Sequence, residues 1–201
     1  MDSPTLLVIS GSARQGSYSL SLARYAAQRA RAAGIQVEEF DLRALALPLY
    51  DGDLESASGV PEGAYQLQAA IARSNGLLVV TPEYNGFPTP LLINAFDWLS
   101  RIGVAPAARS AERTGLEVTA SKPAALLSAS PGAAGGLRAM NYVRQYLQMA
   151  FQMIVVPQQF ALGKANEAFD AQGALKDARA VQSVDFVISA WMTLAWGLLN
   201  G

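Results

Sequence analysis

The 201-residue chain contains no cysteine and no histidine. Without cysteine there is no disulfide, no thiolate metal site and no cysteine nucleophile. Without histidine there is no Ser-His-Asp triad, the usual zinc chemistry is excluded, and the commonest general base at neutral pH is missing. An enzyme built from these residues would leave its difficult step to a bound cofactor. Charge of one sign is also lacking: 15 basic residues stand against 16 acidic ones, a net charge of −1. Neither a nucleic-acid surface nor a polyanionic tail is implied by that balance. The most apolar stretch, FVISAWMTLAWGLL at 186–199, is shorter than the ~20 residues a membrane span needs. It reads as a buried helix or as one at a subunit interface, and no membrane partner is expected. The N-terminus has no basic region ahead of its short apolar run, so it does not read as a signal peptide, and a cytoplasmic location is expected.

What is present is a chain that is 51% hydrophobic, enough for a substantial core in a single domain over 1–201. Five short apolar runs read as strands: TLLVIS at 5–10, IQVEEF at 35–40, GLLVVT at 76–81, PAALLSAS at 123–130 and MIVVPQQF at 153–160. The first, third and fourth are almost continuously apolar, as parallel strands buried on both faces are, and the second alternates as an edge strand does. Helices are expected near 18–33, 61–75, 88–102, 136–150 and 174–199, with Gly34 and Gly76 as C-caps of the first two. This alternation predicts a doubly wound α/β domain with a five-stranded parallel sheet in the order 2-1-3-4-5. DGDLESASGVPEG at 51–63 reads as a polar loop. The segment 103–122 is long for a loop and is expected to be a lid, an interface arm or a disordered excursion.

Two connections carry chemistry. After the first strand, GSARQGSYSL places Ser12, Ser17 and Ser19 around Arg14 at a helix N-terminus. In this topology that turn lies at the carboxyl edge of the sheet, where ligands bind, and free amides with a favourable helix dipole attract anions there. The glycine spacing matches neither a Walker A loop nor a dinucleotide fingerprint, so a terminal phosphate monoester fits better than a pyrophosphate. The plainer alternative is that Ser17 only caps the helix and Arg14 is a solvated surface charge. After the third strand, TPEYNGFPTP is stiffened by prolines and turned by Asn85-Gly86. It presents fixed backbone donors and acceptors beside Tyr84, as a flat heterocycle requires, although an ordinary turn with a packed tyrosine would read similarly.

Together, G-S-x-R-x-x-S after strand one and T-P-E-Y-N-G with L-L-x-N-A-x-D-W after strand three resemble the NAD(P)H-dependent FMN reductases of flavodoxin-like fold, which include chromate, quinone and azo-dye reductases. The resemblance implies bound FMN with NAD(P)H as co-substrate. It places the phosphate on Ser12, Arg14, Ser17, Ser19 and Leu20, and the isoalloxazine on Pro82, Glu83, Tyr84, Asn85 and Gly86. Ser128 and Ser130, in the loop after strand four, are implied near the ring. Catalysis would reside on the flavin, with no acid–base side chain and no metal. Two positions depart from the family pattern: Ser19 stands where Asn is frequent, and Ile93 where Lys is common. A homodimer or homotetramer is implied, with a small-molecule acceptor as the other partner. Arg101, Arg109, Arg113 and Arg138 are the candidates for a 2′-phosphate contact. Two alternatives stay open: a flavodoxin-type electron carrier, against which the near-neutral charge argues, and a scaffolding α/β protein without cofactor. Trp98, Trp191 and Trp196 are expected in the core.

Overall fold

In a computed structural model of the chain, residues 3–104 and 113–200 are described. Five parallel strands, β1 (Thr5–Ser10), β2 (Gln36–Phe40), β3 (Gly76–Thr81), β4 (Pro123–Ala129) and β5 (Ile154–Leu162), form one sheet in the order β2-β1-β3-β4-β5. All four pairings are parallel, with Leu6 opposite Val37 and Gly76, and Leu77 opposite Ala124. β3 and β4 are buried along their whole length, whereas edge strand β2 is nowhere fully buried. This is the burial that the continuous and alternating apolar patterns predict.

Among the described residues six α-helices cover the sheet: α1 (Tyr18–Ala32), α2 (Gly52–Ser58), α3 (Glu62–Arg73), α4 (Pro90–Ser100), α5 (Leu137–Phe151) and α6 (Ala178–Asn200). Alternate residues of each strand enter opposite cores. Leu7, Ile9, Leu77, Val79 and Leu126 pack with α3, α4 and α5 around Trp98 and Phe96. Leu6, Val8, Leu78, Val80 and Leu127 pack with α1 and α6 around Trp191. Trp98 and Trp191 are core residues with no exposed surface, while Trp196 is only half-buried. Arg29 on α1 and Asp185 on α6 make a two-pronged ion pair at 2.7 and 2.6 Å, which fixes the angle of those helices.

Three expectations need correction. Residues 51–63 are not a polar loop: Asp51 accepts from the Asp53 N–H at 2.8 Å and caps α2. The apolar content there is too low for a periodic signal, and the helix is held by Glu55, which turns inward. The Glu55 carboxylate accepts from the Tyr50 hydroxyl at 2.8 Å and from Arg101 Nε at 2.9 Å. Gly76 does not cap a helix either. It opens β3, and a methyl group there would lie 2.3 Å from the Pro123 carbonyl oxygen and 2.8 Å from Trp191 Nε1. The glycine is required by close approach, not by backbone conformation. Of the 103–122 segment, 105–112 lie outside the described residues. Its return includes Val118 and Thr119, both buried against the sheet, so this part is core and no excursion. Among the described residues no helix is long and apolar enough to cross a membrane.

Candidate functional site

At the carboxyl edge of the sheet the β1, β3 and β4 loops face a cleft of about 310 Å³. Ser12, Arg14, Ser17, Tyr18, Ser19, Pro82, Glu83, Tyr84 and Ser130 are among its lining residues. The fold thus brings together eight of the twelve residues singled out from the sequence.

The first wall is the start of α1. Ser17 is its N-cap: Oγ accepts from the Leu20 N–H at 3.0 Å. The capping and anion-binding readings of Ser17 are compatible, because an accepting hydroxyl still has a proton to donate. Among the described residues, the N–H groups of Tyr18 and Ser19 have no acceptor, as the first turn of any helix leaves them. The Ser19 hydroxyl is buried and without a partner. The Arg14 guanidinium lies over the Tyr18 ring, 5.2 Å from its centroid. Leu20 donates its N–H to Ser17 and is among the residues that line a neighbouring cleft.

The second wall is the turn after β3. Tyr84 and Phe87 exchange both backbone hydrogen bonds at 3.0 Å across Asn85 (φ 52°) and Gly86 (φ 86°). Positive φ at both central residues is the type I′ geometry for which Asn-Gly is the preferred sequence. Asn85 and Gly86 shape this turn without lining the cleft. Glu83 has a structural commitment of its own. Its carboxylate accepts from Arg138 through Nε at 3.0 Å and through Nη2, and from the Ala139 N–H at 3.4 Å. Arg138 holds the Glu83 carboxyl below the usual range, and burial opposes the shift. α5 follows its N-cap Gly136 without a side-chain cap or an acidic residue in its first turn, so Glu83 supplies the missing negative charge from another segment.

The third wall is the end of β4. Ala129, Ser130 and Pro131 line the cleft. Ser128, one residue earlier on β4, does not line the cleft; it has no exposed surface, and its hydroxyl has no partner. Buried hydroxyls are nearly always satisfied. The Ser19 orphan, on the helix start that lines the cleft, therefore marks a surface shaped for a polar ligand.

The sequence reading missed three contributors. Tyr18 enters the cleft because it follows the cap. Thr89 ties two walls together: it caps α4 by accepting from the Leu92 N–H, while its hydroxyl donates to the Gly11 carbonyl at 2.5 Å. The Ser/Thr-x-x pattern before Pro90 could have signalled the cap, but not the partner 78 residues away. Arg138, a 2′-phosphate candidate by sequence, is instead paired with Glu83.

A parallel sheet in this order, with a mononucleotide-sized cleft over its first, third and fourth strands, defines a flavodoxin-like nucleotide-binding protein. The NADPH-dependent FMN reductase family model matches residues 4–167, and the chain belongs to that family. It is 34% identical over 189 residues to an NAD(P)H-dependent FMN reductase of Pseudomonas aeruginosa, covering 94% of each chain. It is 32% identical over 168 residues to a quinone reductase of Escherichia coli K12, covering 83% of this chain and 81% of the relative. Among solved structures, the flavoenzyme NAD(P)H:(acceptor) oxidoreductase FerB of Paracoccus denitrificans superposes with a TM-score of 0.78. That likeness has 24% identity over 96% of this chain and 98% of that one. A Pseudomonas aeruginosa flavodoxin shares the fold at a TM-score of 0.54 and 15% identity, a likeness of architecture alone, so the electron-carrier alternative gains no support.

Proposed function

We propose that the chain holds FMN in this cleft, oxidises NAD(P)H there, and reduces a quinone or a comparable flat acceptor. FMN, when bound, supplies the two-electron chemistry that a chain without histidine and cysteine cannot. Ser12, Arg14, Ser17 and Ser19 would hold its phosphate, with the free N–H groups at the start of α1 adding partial positive charge. The rigid 82–86 turn and the Ser128–Ser130 segment would orient the ring and offer donors where negative charge gathers on its pyrimidine side. Glu83 acts as a positioning residue, locking the turn to α5. The observation carrying the reading is the buried, unpartnered hydroxyl of Ser19, a residue that lines this cleft at the start of α1.

The quinone as acceptor is supported by the quinone reductases of Escherichia coli and of Pseudomonas putida, the latter 34% identical over 174 residues. We also propose one domain over 1–201, a cytoplasmic location where reduced pyridine nucleotide is supplied, and a homodimer or homotetramer. Assembly is supported by an exposed aromatic pair near the cleft mouth, Phe87 stacked on Tyr142 at 4.8 Å between ring centroids.

The test is a visible absorption spectrum of the purified protein reconstituted with FMN, its anaerobic bleaching by NADPH and by NADH, and steady-state turnover with a quinone. Bound flavin that bleaches and turns over supports the reading. A protein that takes up no FMN, or holds FMN that neither nucleotide reduces, overturns it. Arg14→Ala is expected to weaken FMN binding about tenfold to a hundredfold, the worth of one charge-assisted hydrogen bond.

A further inference from the structure

Edge strand β5 carries an irregularity that its neighbour β4 does not share. Ala124 stands opposite Val155 and Leu126 opposite Gln159, so β5 advances four residues while β4 advances two. The extra chain is a bulge at 156–158, where Pro157 has no N–H to give to a ladder. A bulge leaves carbonyl groups without strand partners, and one side chain of α5 collects them. Arg144 Nη1 donates to the Val156 carbonyl at 2.8 Å and to the Val155 carbonyl at 3.4 Å, and Nη2 reaches the Pro157 carbonyl at 3.5 Å. Nε and Nη2 also donate to Gln159 Oε1 at 3.0 and 2.7 Å, at the residue where regular pairing resumes. Gln159 Nε2 in turn donates to Asn141 Oδ1 at 3.2 Å, so α5 grips the bulge at two points.

Arg29, Arg31, Arg73, Arg101 and Arg138 are each held by a carboxylate. Among the described residues Arg144 has no ion pair, and burial pushes its pKa down. A half-buried guanidinium without a counter-charge is costly, but its fork of five donors suits several carbonyls at once. What the bulge sets is the position of the strand after it. Phe160 and Leu162 pack into the core of α1 and α6, while Ala161 packs against the opposite one. A slip of one residue would move this half about 3.3 Å along β4 and exchange its faces. The end of β5 is also the seat of the β4 loop. The Leu162 carbonyl accepts from the Ser130 N–H at 3.1 Å, and the Ala165 N–H donates to the Ser130 carbonyl at 3.1 Å. The fit leaves no slack: a Cβ added to Gly163 would lie 2.4 Å from the Ala133 carbonyl oxygen, and one added to Gly135 2.7 Å from the Leu162 carbonyl carbon. Ala129, Ser130 and Pro131 line the cleft.

We infer that Arg144 is a positioning residue for the flavin site: by pinning the β5 bulge it fixes the register in which Leu162 meets Ser130, and with it the β4 wall of the cleft. The inference rests on the proposed FMN binding. Arg144 does not itself line the cleft; the backbone of β5 from Val156 to Leu162 carries its effect.

The test compares Arg144→Met, which keeps an unbranched chain and removes every donor, with Phe151→Leu, a core substitution on the same helix that leaves the bulge untouched. Hydrogen–deuterium exchange of the full chain without flavin should quicken at 128–132 and 161–166 in Arg144→Met and not in Phe151→Leu. In fluorescence titration the FMN dissociation constant should rise about tenfold in Arg144→Met and stay within about twofold of the parent in Phe151→Leu. The visible circular dichroism of the bound flavin should change in the former alone. Arg144→Lys, which keeps the charge without the fork, should fall between parent and Arg144→Met. Parental exchange at 128–132 in Arg144→Met overturns the inference, as does an FMN dissociation constant that stays with the parent's. Equal loss of FMN affinity in Phe151→Leu also overturns it, by reducing Arg144 to a stabilising residue. Should Arg144→Met fail to fold, Gln159→Leu, which removes the side-chain acceptor of two of its bonds, is read by the same criteria. A parent that takes up no FMN refutes the proposed function instead, and the exchange comparison still decides what Arg144 holds.

Discussion

The Thr89 hydroxyl donates to the Gly11 carbonyl at 2.5 Å, joining the cap of α4 to the first residue after β1. Thr89 has no exposed surface, so the bond is made in a low-dielectric interior, where leaving its acceptor unpaired is costly. The two loops that face the ligand are thereby held in one fixed relation, although they lie on separate strands.

Thr89→Val keeps the shape and removes both the cap and the cross-loop bond. It is expected to destabilise the protein by about 1–3 kcal/mol and to weaken FMN binding. Thr89→Ser retains the hydroxyl and should recover most of both. Thermal unfolding with and without FMN measures the two effects. An unchanged FMN midpoint shift in Thr89→Val would show that the loops keep their relation without this bond.

Acid sensitivity follows from Glu55 and Glu83. Burial pushes the Glu55 carboxyl up, but the hydrogen bonds from Tyr50 and Arg101 outweigh it and the net shift is downward. Glu83 is also lowered, chiefly by Arg138. A carboxylate with a depressed folded-state pKa adds stability that is complete above its unfolded pKa. That stability disappears as pH falls through the unfolded value toward the folded one, because the unfolded chain then binds more protons. Denaturant unfolding should therefore show stability falling from about pH 5 downward. Glu55→Gln/Glu83→Gln should be less stable at pH 7 and flatter over this acid range. A parallel slope in parent and variant would assign acid lability to other groups.

Most of the architecture was legible because the signals were local and periodic. Continuous apolar runs marked β3 and β4, and alternation marked edge strand β2. The ligand loops were legible because their chemistry is concentrated in short stretches, such as Asn85-Gly86 and Ser12–Ser19. What escaped depends on partners distant in sequence. Nothing local reveals that Glu55 turns inward to meet Arg101, that Glu83 is claimed by Arg138, or that Thr89 reaches Gly11.

Gly76 and Gly197 separate steric necessity from helix propensity. At Gly76 a methyl group meets the Pro123 backbone at 2.3 Å, which cannot yield easily, whereas Gly197 in α6 has nothing within 4 Å of an added Cβ. Gly76→Ala should destabilise by about 2–3 kcal/mol, as overpacking does. Gly197→Ala should stabilise by about 0.5–1 kcal/mol through helix propensity. Equilibrium unfolding of both variants checks the pair, and equal effects would contradict the close approach of β3, β4 and Trp191.

Ser128 offers the sharpest discrimination between packing and ligand binding. Its hydroxyl is buried and unpartnered, so in the protein without flavin it contributes a desolvation cost and no compensating bond. Ser128→Ala removes that cost and leaves a methyl-sized side chain in the same space. The flavin-free variant should be as stable as the parent or more stable, by up to about 1–2 kcal/mol. If the hydroxyl serves the bound ring, FMN affinity should move the other way, falling about fivefold to tenfold. A role confined to packing would move stability alone and leave the dissociation constant where it was. Fluorescence titration with FMN beside thermal unfolding of the flavin-free protein reads both quantities, and their opposite signs would show that the protein carries this cost for its ligand.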